Sequence, residues 1–154
     1  MTQTSQTQPQ TLMAEPITNV LITDAGFGTD DWEIEFVPLS EAVANDVAAL
    51  DIRSDDSVLG LGNRLQTLEI IRIDFPSSAD GRGFTLARQL RALGYTGRLR
   101  AKGHVLADQY AMARRSGFDE VEISADLAAR QPQDQWLARA NWQAHDYQSR
   151  LRGT

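Results

Sequence analysis

The sequence contains no cysteine. That absence removes disulfide bonds, thiol redox chemistry, thiolate metal sites and Cys-ligated iron–sulfur clusters together. Histidine is scarce too: His104 and His145 are the only two, too few for a protein-built transition-metal site. No metal and no resident cofactor is therefore expected, and any electron transfer would need a cofactor supplied from elsewhere. No apolar run approaches the ~20 residues of a membrane helix. The opening MTQTSQTQPQTLMAEP lacks basic residues and a long apolar segment, unlike a secretory signal or an Arg-rich transit peptide. Its Gln/Thr composition predicts a disordered polar tail over 1–16, and a cytoplasmic location is the expectation. Lysine occurs once, at Lys102, among fifteen basic residues, which a preference for arginine explains.

What remains is an ordinary globular composition: 154 residues with 42% hydrophobic content. It fits a single domain over 17–154. Charge is unevenly placed. Residues 1–80 carry three basic residues (Arg53, Arg64 and Arg72) against fourteen acidic ones, whereas residues 82–115 carry eight basic residues against Asp108 alone. The basic middle either neutralises the acidic first half internally or offers a surface to an anion or acidic partner. Nucleic acid is an unattractive partner, because the basic segment is embedded in an acidic protein and has no aromatic stacking platform.

Residues 19–32 read as a short strand and a turn, 34–39 as a strand, and 40–50 as a helix with Ser40 as its cap. A loop over 51–57 precedes a weak, glycine-interrupted segment at 58–63, which is an antiparallel neighbour or no strand at all. Residues 67–75, TLEIIRIDF, are the clearest strand and are closed by Pro76. Helices follow at 84–93 and 106–116, the first with Leu86, Leu90 and Leu93 on one face and Arg88 and Arg91 turned away. Strands at 97–103 and 120–123 alternate with them. This grammar predicts an α/β fold: a mostly parallel sheet of about four to five strands with a β-α-β-α-β core, half-barrel-like or open. A long C-terminal helix, broken near Pro132, is expected from 125 to 151, with Trp136, Ala140, Ala144, Tyr147 and Leu151 as its core stripe and Trp142 off it.

Strand alternation divides the sheet into two faces. One parity carries Ile34, Phe36, Ile71, Ile73, Phe75, Leu99, Ala101, Val121 and Ile123; the other carries Glu33, Glu35, Arg72, Asp74, Arg98, Arg100, Lys102, Glu120 and Glu122. Fully covered parallel strands lack such alternation. Most helices should therefore pack on the apolar face. The charged face is then self-paired, solvated, or a polar binding surface carrying Arg100, Lys102 and Asp74.

Ligands of α/β sheets bind beyond the carboxyl ends of the strands. The segment IDFPSSADGRGFTLARQLR leaves such an end and enters a helix. Gly81 and Gly83 permit backbone geometry closed to other residues, and free N–H groups there attract anions. Arg82 adds a forked donor, and Asp80 can cap the turn. Asp80, Gly81, Arg82, Gly83 and Phe84 are thus the candidate anion-binding residues, with Asp74, Arg88, Arg100, Lys102, His104 and Asp108 as secondary candidates. The lysine of a nucleotide-binding phosphate loop and the full dinucleotide fingerprint are missing.

The same residues resemble a family of uncharacterised bacterial proteins encoded beside assimilatory sulfite reductase and labelled as oxidoreductases of sulfite reduction. The resemblance is carried by Asp74-Phe75-Pro76, Asp80-Gly81-Arg82-Gly83-Phe84, Ala87-Arg88 and Leu90-Arg91. It continues through Gly94-Tyr95, Arg100-Ala101, Asp108-Gln109, Arg114-Arg115 and Gly117-Phe118. It covers residues 67–123; His104 stands where the family usually has an acidic residue. It implies a role in sulfur assimilation but no agreed catalytic residues. Three readings follow. The first is an accessory protein docking onto sulfite reductase or its electron donor. The second is a small enzyme or carrier binding an anionic sulfur or phosphate compound at the 80–85 turn. The third is an interaction scaffold whose glycine turn serves chain geometry only.

Overall fold

The computed structural model describes residues 19–42 and 47–143. Seven strands form one open sheet: β1 Val20–Thr23, β2 Gly26–Gly28, β3 Val37–Pro38, β4 Ala49–Ile52, β5 Ile70–Phe75, β6 Arg98–Gly103 and β7 Glu120–Ile123. Their order is β2-β1-β7-β6-β5-β4-β3. From β3 to β7 all neighbours are parallel, while β1 runs antiparallel to both β7 and β2. Parallel strands lying side by side in chain order, joined by crossovers of one hand, put every crossover on the same face. The sheet is wound in one direction, as in half a barrel, but is open with β2 and β3 at its edges.

That covered face holds the core. Leu50 and Ile52 of β4, Ile71, Ile73 and Phe75 of β5, Leu99 and Ala101 of β6, and Val121 and Ile123 of β7 are all buried. Helix α1 (Arg82–Ala92) lays Phe84, Leu86, Ala87 and Leu90 onto them. Each large apolar side chain so buried contributes ~1.5–3 kcal/mol. Phe75, Phe84 and Phe118 meet edge-to-face, with ring centroids 5.0–6.5 Å apart. Helix α2 (Tyr110–Ser116) adds Tyr110 and Ala113 at helical spacing, and a 3-10 turn at Gly62–Gln66 adds Leu65 from the β4–β5 crossover. Two short helices follow β7: α3 (Ala125–Arg130), capped by the Ser124 hydroxyl, and α4 (Gln133–Leu137). Trp136 of α4 is buried edge-to-face against Tyr110.

Several sequence expectations are corrected. The sheet has seven strands, not four to five. Within 40–50, the described residues form a 3-10 turn at Leu39–Glu41, which Ser40 does not cap, and then the start of β4. Ala49 and Leu50 suit a helix by propensity, but pairing with β5 and complete burial override it. Of the strand expected at 34–39 only Val37–Pro38 joins the sheet, Leu39 already belonging to the 3-10 turn; of the two alternatives for 58–63, the structure shows the one without a strand. Ile34 is exposed, and Phe36 lies on the charged face instead of the apolar one, its ring 3.8 Å from the Arg72 guanidinium carbon. Leu93 is exposed. Arg91 turns inward and donates to the carbonyls of Tyr95, Gly97 and Gly117 and to Asp119.

The long C-terminal helix is not shown. Pro132 separates α3 from α4, and α4 stops at Leu137. Trp142 turns back: its ring lies 4.7 Å from the Arg114 guanidinium carbon and its indole N–H donates to Asp24. These tertiary contacts compete with continuation of the helix past Leu137. Ala144, Tyr147 and Leu151, like the polar tail, lie outside the described residues. Among the described residues, no helix is long and apolar enough to cross a membrane.

Candidate functional site

The sheet face opposite the helices carries the charges in rows set by strand register. One row runs Asp51–Arg72–Arg100–Glu120 from β4 to β7, and the next, closer to the strand ends, runs Asp74–Lys102–Glu122. Every charged side chain of the first row is paired. Arg72 donates to both oxygens of Asp51, at 2.7 and 2.8 Å, and to Glu122 at 3.1 Å. Arg100, fully buried, donates to Glu120 at 2.7 Å and to Glu122 at 3.1 Å. Arg98 holds Glu120 at 2.8 and 2.9 Å.

Residues from the acidic first half complete this network. Asp30 takes two hydrogen bonds from Arg100, and Asp31 takes one from Arg98. Trp32 and Phe36 lie over Arg98 and Arg72. Elsewhere Asp24 binds Arg114 and the Tyr110 hydroxyl. Internal neutralisation thus accounts for much of the charge asymmetry. Arg100, a secondary candidate, is a structural cation. Its burial would lower its proton affinity, but the hydrogen bonds it donates to Asp30 and Glu120 more than offset this and hold its pKa above the ordinary value.

The second row is different. Among the described residues, neither Asp74 nor Lys102 makes an ion pair or a side-chain hydrogen bond, although they face each other in register on adjacent strands. Both line a cavity of about 300 Å³ together with Pro38, Leu39, Ser40, Asp51, Ile52, Arg53, Asp56 and Arg72. Lys102 also lines a second cavity, of about 190 Å³, with Asn19, Gly103, His104, Glu122, Ser124, Leu127 and Arg130. The lone lysine stands where two cavities meet, at the carboxyl ends of parallel strands, which is where this class of sheet binds ligands.

Local structure fixes the chain just after Lys102. Gly103 follows Lys102 with φ +121°, and a Cβ there would sit 2.5 Å from the Phe75 carbonyl oxygen. That carbonyl accepts the His104 backbone N–H at 2.9 Å, and the His104 ring nitrogen Nδ1 lies 3.4 Å from it. His104 is exposed at the rim.

The turn at 80–85 lies beside this site. Asp80 accepts the Arg82 backbone N–H at 3.1 Å, and its two oxygens take Nε and Nη2 of the Arg82 guanidinium at 2.9 and 2.7 Å. Ser54 accepts a further bond from Nη2 at 3.1 Å. The hydrogen bonds from Arg82 hold the Asp80 carboxyl far below the usual carboxylate range. The turn therefore supplies its own carboxylate. Gly83 serves packing, since a Cβ there would lie 2.4 Å from the Phe75 ring. Gly81 and Phe84 join by the first helical hydrogen bond, and the Phe84 side chain points into the core. Arg82 borders a separate open groove of about 300 Å³ that shares Asp56 with the Lys102 cavity.

The structure thus gathers Asp74, Lys102 and His104 at one rim, buries Arg100 in the neighbouring row against Asp30, and sets Asp80 and Arg82 alongside. Arg88 projects from the exposed side of α1. Asp108 pairs with Arg139 at 2.7 Å and lines neither Lys102 cavity. Sequence reasoning missed Arg53 and Asp56 in the first cavity, and Asn19, Ser124 and Arg130 in the second. Recognising β4 from its Leu50/Ile52 alternation would have placed Arg53 beside the strand end. Arg130 had no signal, because only the fold brings α3 to Lys102. Among the described residues, no group of three or more His, Asp or Glu is placed to hold a metal ion.

A family model described as a bacterial protein of unknown function, DUF934, matches residues 49–154. No curated protein and no solved structure matches the chain.

Proposed function

The chain belongs to the DUF934 family of bacterial proteins of unknown function, and we propose that it is an accessory of assimilatory sulfite reduction that binds a small anion at Lys102. Docking onto sulfite reductase or its electron donor is the role that the sequence resemblance implies. The observation that carries the binding reading is the position of Lys102: an ammonium without a described partner, shared by two cavities at the strand ends. An ammonium donates up to three hydrogen bonds and is a compact charge suited to an oxyanion. His104 and Arg130 flank it in the smaller cavity and can share such a ligand.

Calorimetric titration with sulfite, sulfate and phosphate tests the binding. Saturable binding that is lost in Lys102→Gln supports the reading; binding untouched by that variant refutes it. Affinity capture from native lysate tests the docking. Sulfite reductase or its electron donor should be retained at low salt and released at high salt, as expected for contact between exposed charges. A reductase whose assembly and activity ignore this protein would count against the accessory role.

The 80–85 turn remains a second reading, favoured by the exposure of the Arg82 side chain, 60%, beside an open groove. A ligand there would have to displace Asp80 from Arg82. Arg82→Ala separates the two readings: it should leave anion binding unchanged if Lys102 is the anchor and abolish it if the turn is.

A further inference from the structure

We infer that the ligand of the 300 Å³ cavity is a small zwitterion, bound with its acid group on Lys102 and its ammonium on Asp74. This rests on the Lys102 reading above and specifies the ligand class. It follows from where the charged face stops pairing. In the row Asp51–Arg72–Arg100–Glu120 every charged side chain is hydrogen-bonded to an opposite charge. In the outer row, Glu122 reaches inward to Arg72 and Arg100 and also takes the Asn19 amide. Among the described residues, Asp74 and Lys102 are left without a partner. They face each other in register, and no ion pair joins them.

An acceptor and a donor held apart in one cavity are complementary to a ligand that brings the opposite pair. A simple anion would satisfy Lys102 while facing the Asp74 carboxylate, and like charges at short range disfavour binding. A ligand that also carries an ammonium turns that repulsion into a second charge-assisted hydrogen bond. The neighbouring wall, Pro38, Leu39 and Ile52, is apolar and suits a short aliphatic chain between the two groups. A volume of 300 Å³ is at the low end for ligand sites and excludes a large molecule.

Two matched pairs of probes test this by calorimetry: β-alanine against propionate, and taurine against ethanesulfonate. In the native protein the amine-bearing member of at least one pair should bind about tenfold tighter or more, the effect of one charged hydrogen bond. Asp74→Asn should erase the preference, and Asp74→Glu should retain it, with thermal melts confirming that both variants fold. Equal affinities within both pairs overturn the inference, as does a preference that survives Asp74→Asn. Sulfite or sulfate binding through Lys102 with no zwitterion binding overturns it while leaving the anion reading intact. Anion binding that survives Lys102→Gln overturns both.

Discussion

A methyl group added at Gly83 has a sharply defined consequence. The Cβ of Gly83→Ala would lie 2.4, 2.6 and 2.9 Å from three carbons of the Phe75 ring. Non-bonded carbons are comfortable at about 3.5–4.0 Å, so the ring or the start of α1 must give by about 1 Å. The ring has little room to move. Phe75 is 1% exposed and sits between Phe84 and Phe118, at centroid distances of 5.0 and 5.8 Å. Overpacking of this kind costs about 1–3 kcal/mol. Alanine's helical advantage over glycine returns at most ~1 kcal/mol, and less in the first turn. A net loss of about 1–2 kcal/mol follows. Urea unfolding followed by far-UV circular dichroism should show a midpoint lower by roughly 0.3–2 M, given slopes of about 1–3 kcal/mol/M. Gly81→Ala is the internal control. Its Cβ would meet nothing closer than 4.0 Å, at an ordinary φ of −87°, so its stability should change by less than about 0.5 kcal/mol. A Gly83→Ala protein as stable as the native one, or a Gly81→Ala protein equally damaged, would refute the packing explanation of this turn.

Arg100→Met should destabilise by about 3–5 kcal/mol, because it leaves Glu120 and Glu122 buried with one cation fewer; an unchanged urea midpoint would show that the network contributes nothing net. The charged strap at Asp30 and Asp31 predicts a pH dependence. Burial acts to raise the Asp30 carboxyl, but hydrogen bonds from Arg100 outweigh it, and the hydrogen bond from Arg98 lowers Asp31; both titrate below their ordinary value. A carboxylate with a depressed folded pKa contributes stability that is complete above its unfolded pKa, near ~4, and is lost as pH falls through the folded value. Melting temperatures recorded from pH 7 down to pH 2.5 should therefore fall below about pH 4, and less steeply in an Asp30→Asn, Asp31→Asn double variant. Identical acid limbs would contradict this.

The readable parts of the fold were those where local pattern and tertiary demand agree. Ile71, Ile73 and Phe75 alternate with Arg72 and Asp74, and β5 forms with that division intact. β7 is the predicted EVEI segment, and Phe84, Ala87 and Leu90 face the core as helical spacing requires. Where the pattern was short, it misled. Ala49–Ile52 became a strand because β5 offers it a partner, and Phe36 crossed to the charged face because Arg72 offers its guanidinium to the ring. The candidate site was legible to the extent that parity placed Asp74 and Lys102 on one face; the β5–β6 register set them side by side. Nothing in the linear order could show that Ser54 would also hold Arg82, or that Asp30 would reach Arg100 from seventy residues away.

Composition settled early that this chain has no thiol chemistry of its own, and strand alternation divided its sheet into an apolar and a charged face. Both are local properties: one is a count, and the other follows from side chains pointing alternately along an extended chain. Which charges are consumed and which stay available is a matter of distance in three dimensions. Only the packed sheet brings five carboxylates around Arg72, Arg98 and Arg100 while leaving Asp74 and Lys102 unmatched among the described residues at the open strand ends. Electrostatic pairing depends on separations of a few ångströms between residues far apart in the chain, and those separations are set by register and burial.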